Sequence, residues 1–184
     1  MSQRKRMRDL LVGNNAGQTT TATLIFMALH DKYRFNKKRL EAIKAKCNEY
    51  NENEIKNDPK YTGKAFLVMR DKLESLGIDI RLQRDFTNWI VAGLGLSGKE
   101  QRIAAKETIE MVYVYLFMAL RELYNFGRKR MQWLQRKIKF YAGCIREGTP
   151  RIEEYMKCLS IECGQHYPNL TVCEEKYGEL KIYG

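Results

Sequence analysis

The sequence predicts an all-α fold. A stretch of chain recurs at a fixed offset. The apolar positions after it step at helical spacing in both copies. Residues that tolerate a left-handed backbone separate the steps. LIFMAL at 24–29 is followed by Tyr33, Phe35 and the run Lys37, Lys38, Arg39, Leu40. YLFMAL at 115–120 is followed by Tyr124, Phe126 and the run Arg128, Lys129, Arg130, Met131, all at a constant offset of 91 residues. Downstream, Leu40, Ile43, Cys47 and Tyr50 match Met131, Leu134, Ile138 and Tyr141. Both sets step by three, four and three, which is the buried stripe of an amphipathic helix.

Each copy therefore reads as helix, tight turn, helix. The turns fall near Phe35 and Asn36 and near Phe126 and Gly127, where Asn and Gly close a helix at least steric cost. A third helix follows in each copy, from about Lys64 to Leu76 before Gly77, and from about Arg151 to Cys163 before Gly164. Pro150 suits its first turn. Four segments result: a flexible basic arm at 1–19, repeat one at 20–80, a connector at 81–97, and repeat two with a C-terminal extension at 98–184. A pseudo-two-fold relation between the repeats is expected. Ile78, Ile80 and Leu82 alternate, which admits a minor β element paired with Thr171, Cys173 or 180–183.

The charge balance points to an acidic partner. Lys and Arg number 33 against 22 Asp and Glu, a formal net charge of +11. Such a surplus favours phosphate polymers, acidic membrane faces or acidic proteins. The longest apolar run, Met111 to Leu120, is too short to span a membrane and carries Tyr113 and Tyr115. The N-terminus lacks a signal-peptide core, so a cytoplasmic protein with no membrane partner is expected. Five cysteines, an odd number, argue against a disulfide framework.

Lys37, Lys38, Arg39 and Arg128, Lys129, Arg130 occupy the first turns of two helices, where the helix dipole disfavours cations. Their recurrence suggests an anion site built from free N–H groups and cationic side chains. The alternative is a solvated face, or pairing with Asp31, Glu41 or Glu122. Arg136, Lys137 and Lys139 extend the second cluster among Trp133, Phe140 and Tyr141, and Arg4, Lys5 and Arg6 add a basic arm. Aromatics among cations can stack on bases, although Tyr141 belongs to the core stripe and Trp133 suits packing. Reversing Arg128, Lys129 and Arg130 to Glu is expected to abolish binding and leave the fold intact.

The segment 93–100 has the spacing of a phosphate-binding loop but ends in Glu100 where Ser or Thr should hold magnesium. It reads better as a helix start with Ser97 as cap and Glu100 closing the box. Cys158, Cys163, His166 and Cys173 supply four zinc-competent ligands without a Cys-x-x-Cys knuckle, and reduced thiols are the alternative. His30 stands where the second copy has Arg121, which suggests a cationic partner for a helix C-terminus. No catalytic constellation and no cofactor motif stands out, so a non-enzymatic protein is expected.

The stretch from Phe26 to Leu40 resembles a pattern in small helical proteins of Firmicute bacteriophages and mobile elements. Arg146, Glu147, Gly148 and Thr149 are similar to the later turn of that pattern, from which copy one departs at Asn57, Asp58 and Pro59. A duplicated basic module of this length is also similar to some type II anti-CRISPR proteins, which bind the guide-loaded effector nuclease. The resemblance implies a bacterial host cell and a nucleic-acid or nucleoprotein partner such as a guide-loaded CRISPR nuclease. A DNA-binding regulator of phage transcription or replication and a structural interaction module are the alternatives. Self-association is left open.

Overall fold

The computed structural model of the chain describes residues 2–57, 64–78, 80 and 84–182. Among these residues every regular element is a helix: α1 (Gln3–Tyr33), α2 (Lys37–Asn57), α3 (Lys64–Ser75), α4 (Arg84–Gly93), α5 (Lys99–Tyr124), α6 (Arg128–Glu147), α7 (Ile152–Cys163) and α8 (Leu170–Tyr177). The all-α class is as the periodicity requires. Ile78 and Ile80 are buried as apolar plugs rather than paired in a strand, and 170–177 is helical; Leu82 and Tyr183 lie outside the described residues.

The centre is α1 against α5, the most extensive helix–helix contact in the molecule. The two helices run parallel, since Gln101 Nε2 donates to Asp9 Oδ1 (2.9 Å), Thr108 Oγ1 bonds Asn14 Oδ1 (2.9 Å) and Tyr33 meets Phe126 further on. Gly13 and Gly17, one turn apart, make the close approach. A Cβ on Gly17 would stand 2.7 Å from the Ala105 carbonyl oxygen, and one on Gly13 would strike that of Gln101. This overturns the flexible arm expected at 1–19, because α1 is continuous from Gln3. Two glycines and four polar side chains between 13 and 19 read as loop by propensity, but packing against α5 overrides it. The connector at 81–97 likewise contains α4, with Phe86, Ile90 and Val91 buried against α5 and α6.

Residues 24–29 and 115–120 are buried without interruption. Helices buried all round need cover on every side, and the outer helices supply it by crossing over. α2 lies against α5 and α6 against α1; α3 lies against α5 and α7 against α1. The contacts recur at the 91-residue offset with partners exchanged. Tyr50 Oη donates to Glu122 (2.9 Å), and Tyr141 Oη donates to Asp31. Lys46 stands 3.5 Å from Glu122, and Lys137 stands 3.5 Å from Asp31. Burial, reinforced by these carboxylates, pushes both tyrosine hydroxyls well above their ordinary range.

The ends differ in detail from expectation. α5 begins one residue later, with Gln101 Oε1 accepting from the Gly98 N–H (3.3 Å) while Ser97 stays exposed. Pro150 precedes the N-cap Arg151 of α7, whose N–H donates to Glu154 (2.8 Å). The left-handed residues are Arg34 (φ 51°) and Asn125 (φ 50°), one position before the expected turns. Gly77 and Gly164 close α3 and α7 at positive φ.

Glycine-to-alanine changes test the central contact by their sign. In an open helical position the change stabilises by up to about 1 kcal/mol. Gly143 in α6, with open space around its Cβ direction, should behave so. Gly17→Ala and Gly13→Ala should instead destabilise by about 1–3 kcal/mol, as overpacking against backbone does. Urea unfolding of the three variants decides it, and stabilisation at Gly17 would remove the close approach from the account.

Candidate functional site

Both basic helix starts lie at one end of the molecule, where the turns after α1 and α5 abut. Phe35 packs edge-on against Tyr124 and Phe126 against Tyr33, each with ring centres 4.9 Å apart, and the two phenylalanines meet at 6.2 Å. His30 Nδ1 lies 3.0 Å from the Phe35 carbonyl, and the Arg121 guanidinium reaches the Phe126 carbonyl at 3.5 Å. Arg can only donate, so the matching position assigns a donating N–H to His30 Nδ1. Both side chains are thus placed as N–H donors to the turn carbonyl.

The three cations of each cluster have different surroundings. Arg39 and Arg130 stack over Phe35 and Phe126 at 5.3 Å and 4.7 Å, and Arg130 also donates to the Asn125 carbonyl (2.6 Å). Lys37 lies along Gly164, the C-cap of α7, and Arg128 along Gly77, which closes α3. Those are the negative ends of helix dipoles, where cations belong. All six are exposed and none pairs with an acid among the described residues, and Lys38 and Lys129 are the two with neither a ring nor a helix-end contact there. Asn36 Oδ1 already accepts from the Arg39 N–H (3.2 Å) at the start of α2, whereas Gly127 gives α6 no side-chain cap. The two clusters therefore come together at one end, but four of their six cations also hold turns or cap helices. Asp31, Glu41 and Glu122 pair with Lys137, Lys44 and Lys46 instead.

The stronger basic surface runs along α6. This helix carries seven cations and one acid, Glu147. Lys137 is drawn inward to Asp31 and over Tyr141 (4.7 Å). Arg136, Lys139 and Arg146 face outward, as does Phe140, which is 60% exposed. From α4, Trp89 joins them, with Arg146 at 4.6 Å and Lys139 at 5.8 Å from its ring. Gly143 leaves open space on the same face. Trp89 did not stand out in the sequence, because a ten-residue helix inside a connector shows too few periods to be recognised, and Arg146 was read there only as part of a turn. Trp133 packs edge-on against Tyr33 (5.7 Å), and Tyr141 is core. Arg4, Lys5 and Arg6 are exposed on the first turn of α1, about 45 Å from its far end by helical rise, so they do not join the clusters.

The cysteines and histidines do not converge. Among the described residues no group of three or more His, Cys, Asp or Glu side chains is placed to hold a metal ion. Cys163 Sγ lies 3.2 Å from His30 Nδ1, and His30 Nε2 lies 2.5 Å from Glu162. The order Cys, His, Glu resembles a nucleophile relay, but Nδ1 donates to the Phe35 carbonyl and has no lone pair for the thiol proton. Burial pushes the Cys163 thiol up and that of Cys158 up to about 12, the reverse of nucleophile activation. His166 is exposed and Cys173 sits on α8.

Compared with family models, with curated proteins and with solved structures, the chain matches none.

The division of labour within each cluster predicts unequal substitutions. Lys38→Glu and Lys129→Glu should move the unfolding free energy by no more than about 0.5 kcal/mol. Arg130→Glu, which loses a ring contact and a turn hydrogen bond, should cost roughly 1–2 kcal/mol. Thermal and urea unfolding of the single variants checks this. It also revises the expectation that reversing all three residues leaves the fold intact, and equally small effects at all three positions would restore that expectation.

Proposed function

We propose that the chain binds nucleic acid, free or within a nucleoprotein, along the outer face of α6 together with Trp89 of α4, without itself catalysing a reaction. The observation that carries the proposal is the combination on that face of Arg136, Lys139 and Arg146 with exposed Phe140 and the Trp89 ring beside two cations. Cations release condensed counterions from a phosphate backbone, and aromatic faces take bases in sequence-tolerant stacking. The face extends about 27 Å from Arg128 to Arg146 by helical rise, enough to follow several phosphates. Lys38 and Lys129 stand at the turn end, where they would extend the contact. The resemblance to bacteriophage and mobile-element proteins suggests the setting, and a guide-loaded CRISPR nuclease is the nucleoprotein that it puts forward.

Labelled single-stranded RNA and duplex DNA, titrated across a salt series, test the proposal. With about four phosphates neutralised, log affinity should fall against log salt with a slope near −3 on single strands and near −4 on duplex. The triple change Arg136→Glu, Lys139→Glu, Arg146→Glu should flatten that slope by roughly two to three. Trp89→Phe should remove the fluorescence quenching that a stacked base produces. Absent or salt-independent binding of both probes would sink the proposal for free nucleic acid, and titration of the guide-loaded nuclease would then decide the nucleoprotein form.

A further inference from the structure

A hollow of about 480 Å³ lies between α4 and the first two turns of α5. Lys99, Arg102 and Lys106 line its α5 side. They stand at i, i+3 and i+7, which is one face of a helix, and they span about 10 Å by helical rise. All three are exposed, and none pairs with an acid among the described residues. Glu100, Glu107 and Glu110 belong to the same part of α5 but do not line the hollow. Leu96 and Ile103 give it apolar walls. Asn88 lines it from α4, with an amide that makes no hydrogen bond among the described residues. The segment 93–100, which has the spacing of a phosphate-binding loop, contributes Gly95 and Lys99 to the lining, although a helix and not a strand precedes it.

The hollow adjoins the basic face of α6. Asn88 and Trp89 are neighbours on α4 and serve different flanks of it. Asn88 faces the α5 cations across the hollow, and Trp89 stands beside Lys139 and Arg146 of α6. α4 is therefore a ridge with cations on both sides. The chemistry of the hollow fits one kind of occupant. Three cations suit phosphates, apolar walls suit the face of a base, and a free amide both donates and accepts at a base edge. Its size suits a single small ligand. An unpaired base can be splayed into such a space, whereas a paired base stays in its stack unless the cost of unstacking is met.

We propose that this hollow takes one unpaired nucleotide of a single strand, which reaches it over α4 from the face of α6. The inference rests on the nucleic-acid reading of that face and narrows it to single strands. Lys99, Arg102 and Lys106 meet the phosphates that flank the nucleotide, and its base lies against Leu96 and Ile103. A duplex engages the α6 face alone, because its bases cannot enter.

Labelled oligouridine RNA and a blunt-ended RNA duplex of equal length are titrated into the full chain at physiological ionic strength, where charges more than about 8 Å apart are largely screened. The double change Lys99→Ala, Lys106→Ala should weaken the single strand about tenfold and leave the duplex within about twofold. Ala92→Glu should act in the same direction, since Ala92 is exposed and lines the hollow, so a carboxylate there opposes a phosphate. Thermal midpoints of both variants should match the unchanged chain. If Arg136→Glu, Lys139→Glu, Arg146→Glu weakens the single strand while both hollow variants bind it normally, the α6 reading stands and this inference is overturned. Equal weakening of strand and duplex by the hollow variants would overturn it too, as a general effect of charge. Uridine 5′-monophosphate that binds as tightly as the strand would assign the hollow to a free nucleotide instead. Absence of binding to both probes by the unchanged chain would remove the α6 reading for free nucleic acid, and this inference with it.

Discussion

The structure depends on how closely α1 and α5 approach. Gly13 and Gly17 place backbone against backbone at Gln101 and Ala105, and no side chain fits between. The contact is set early along both helices, and the parallel course then carries residues 24–29 beside 115–120. Both stretches are apolar on all faces. A pair of helices of this kind cannot stand in water, and each needs a shell. The remaining helices are that shell.

The shell is crossed, and the crossing explains most of the polar contacts. Each hairpin's second helix covers the other hairpin's first, so Tyr50 reaches Glu122 and Tyr141 reaches Asp31. The same exchange brings the two turns together and stacks Phe35, Phe126, Tyr33 and Tyr124 at one end. It also accounts for cations in first helical turns, where the dipole alone opposes them. Lys37 and Arg128 lie against the closing glycines of α7 and α3, and Arg39 and Arg130 cover the turn rings. A position that is unfavourable within its own helix is favourable against a neighbour's end.

Much of this was legible in the residues. The 91-residue offset carried the helix boundaries at Tyr33 and Tyr124 and at Lys37 and Arg128, because apolar spacing and turn residues act locally. What was not legible depends on distant partners. Gly13 and Gly17 look like loop residues until Ala105 stands against them. Arg34 and Asn125 take the left-handed turn although Asn36 and Gly127 were better suited by type, since Phe35 and Phe126 must point inward. The α6 face was half visible through Arg136 and Lys139, whereas Trp89 arrives from a helix too short to leave a periodic signal.

The departures from repetition are where the chain differs most on its surface. α4 covers one flank and supplies Trp89 to the basic face, while the matching flank keeps a groove lined in part by His166, Tyr167 and Pro168, and α8 stays peripheral. These differences rest on a core that the account treats as a single cooperative unit, since neither hairpin covers its own first helix. Native-state hydrogen exchange across a denaturant series tests that claim most directly. The amides of 24–29 and 115–120 should exchange through one opening, with the same free energy and the same denaturant slope, as members of one cooperative unit do. Exchange of either stretch at a lower free energy and smaller slope would mean that one hairpin folds without the other, and the crossed shell would not be what holds the molecule together.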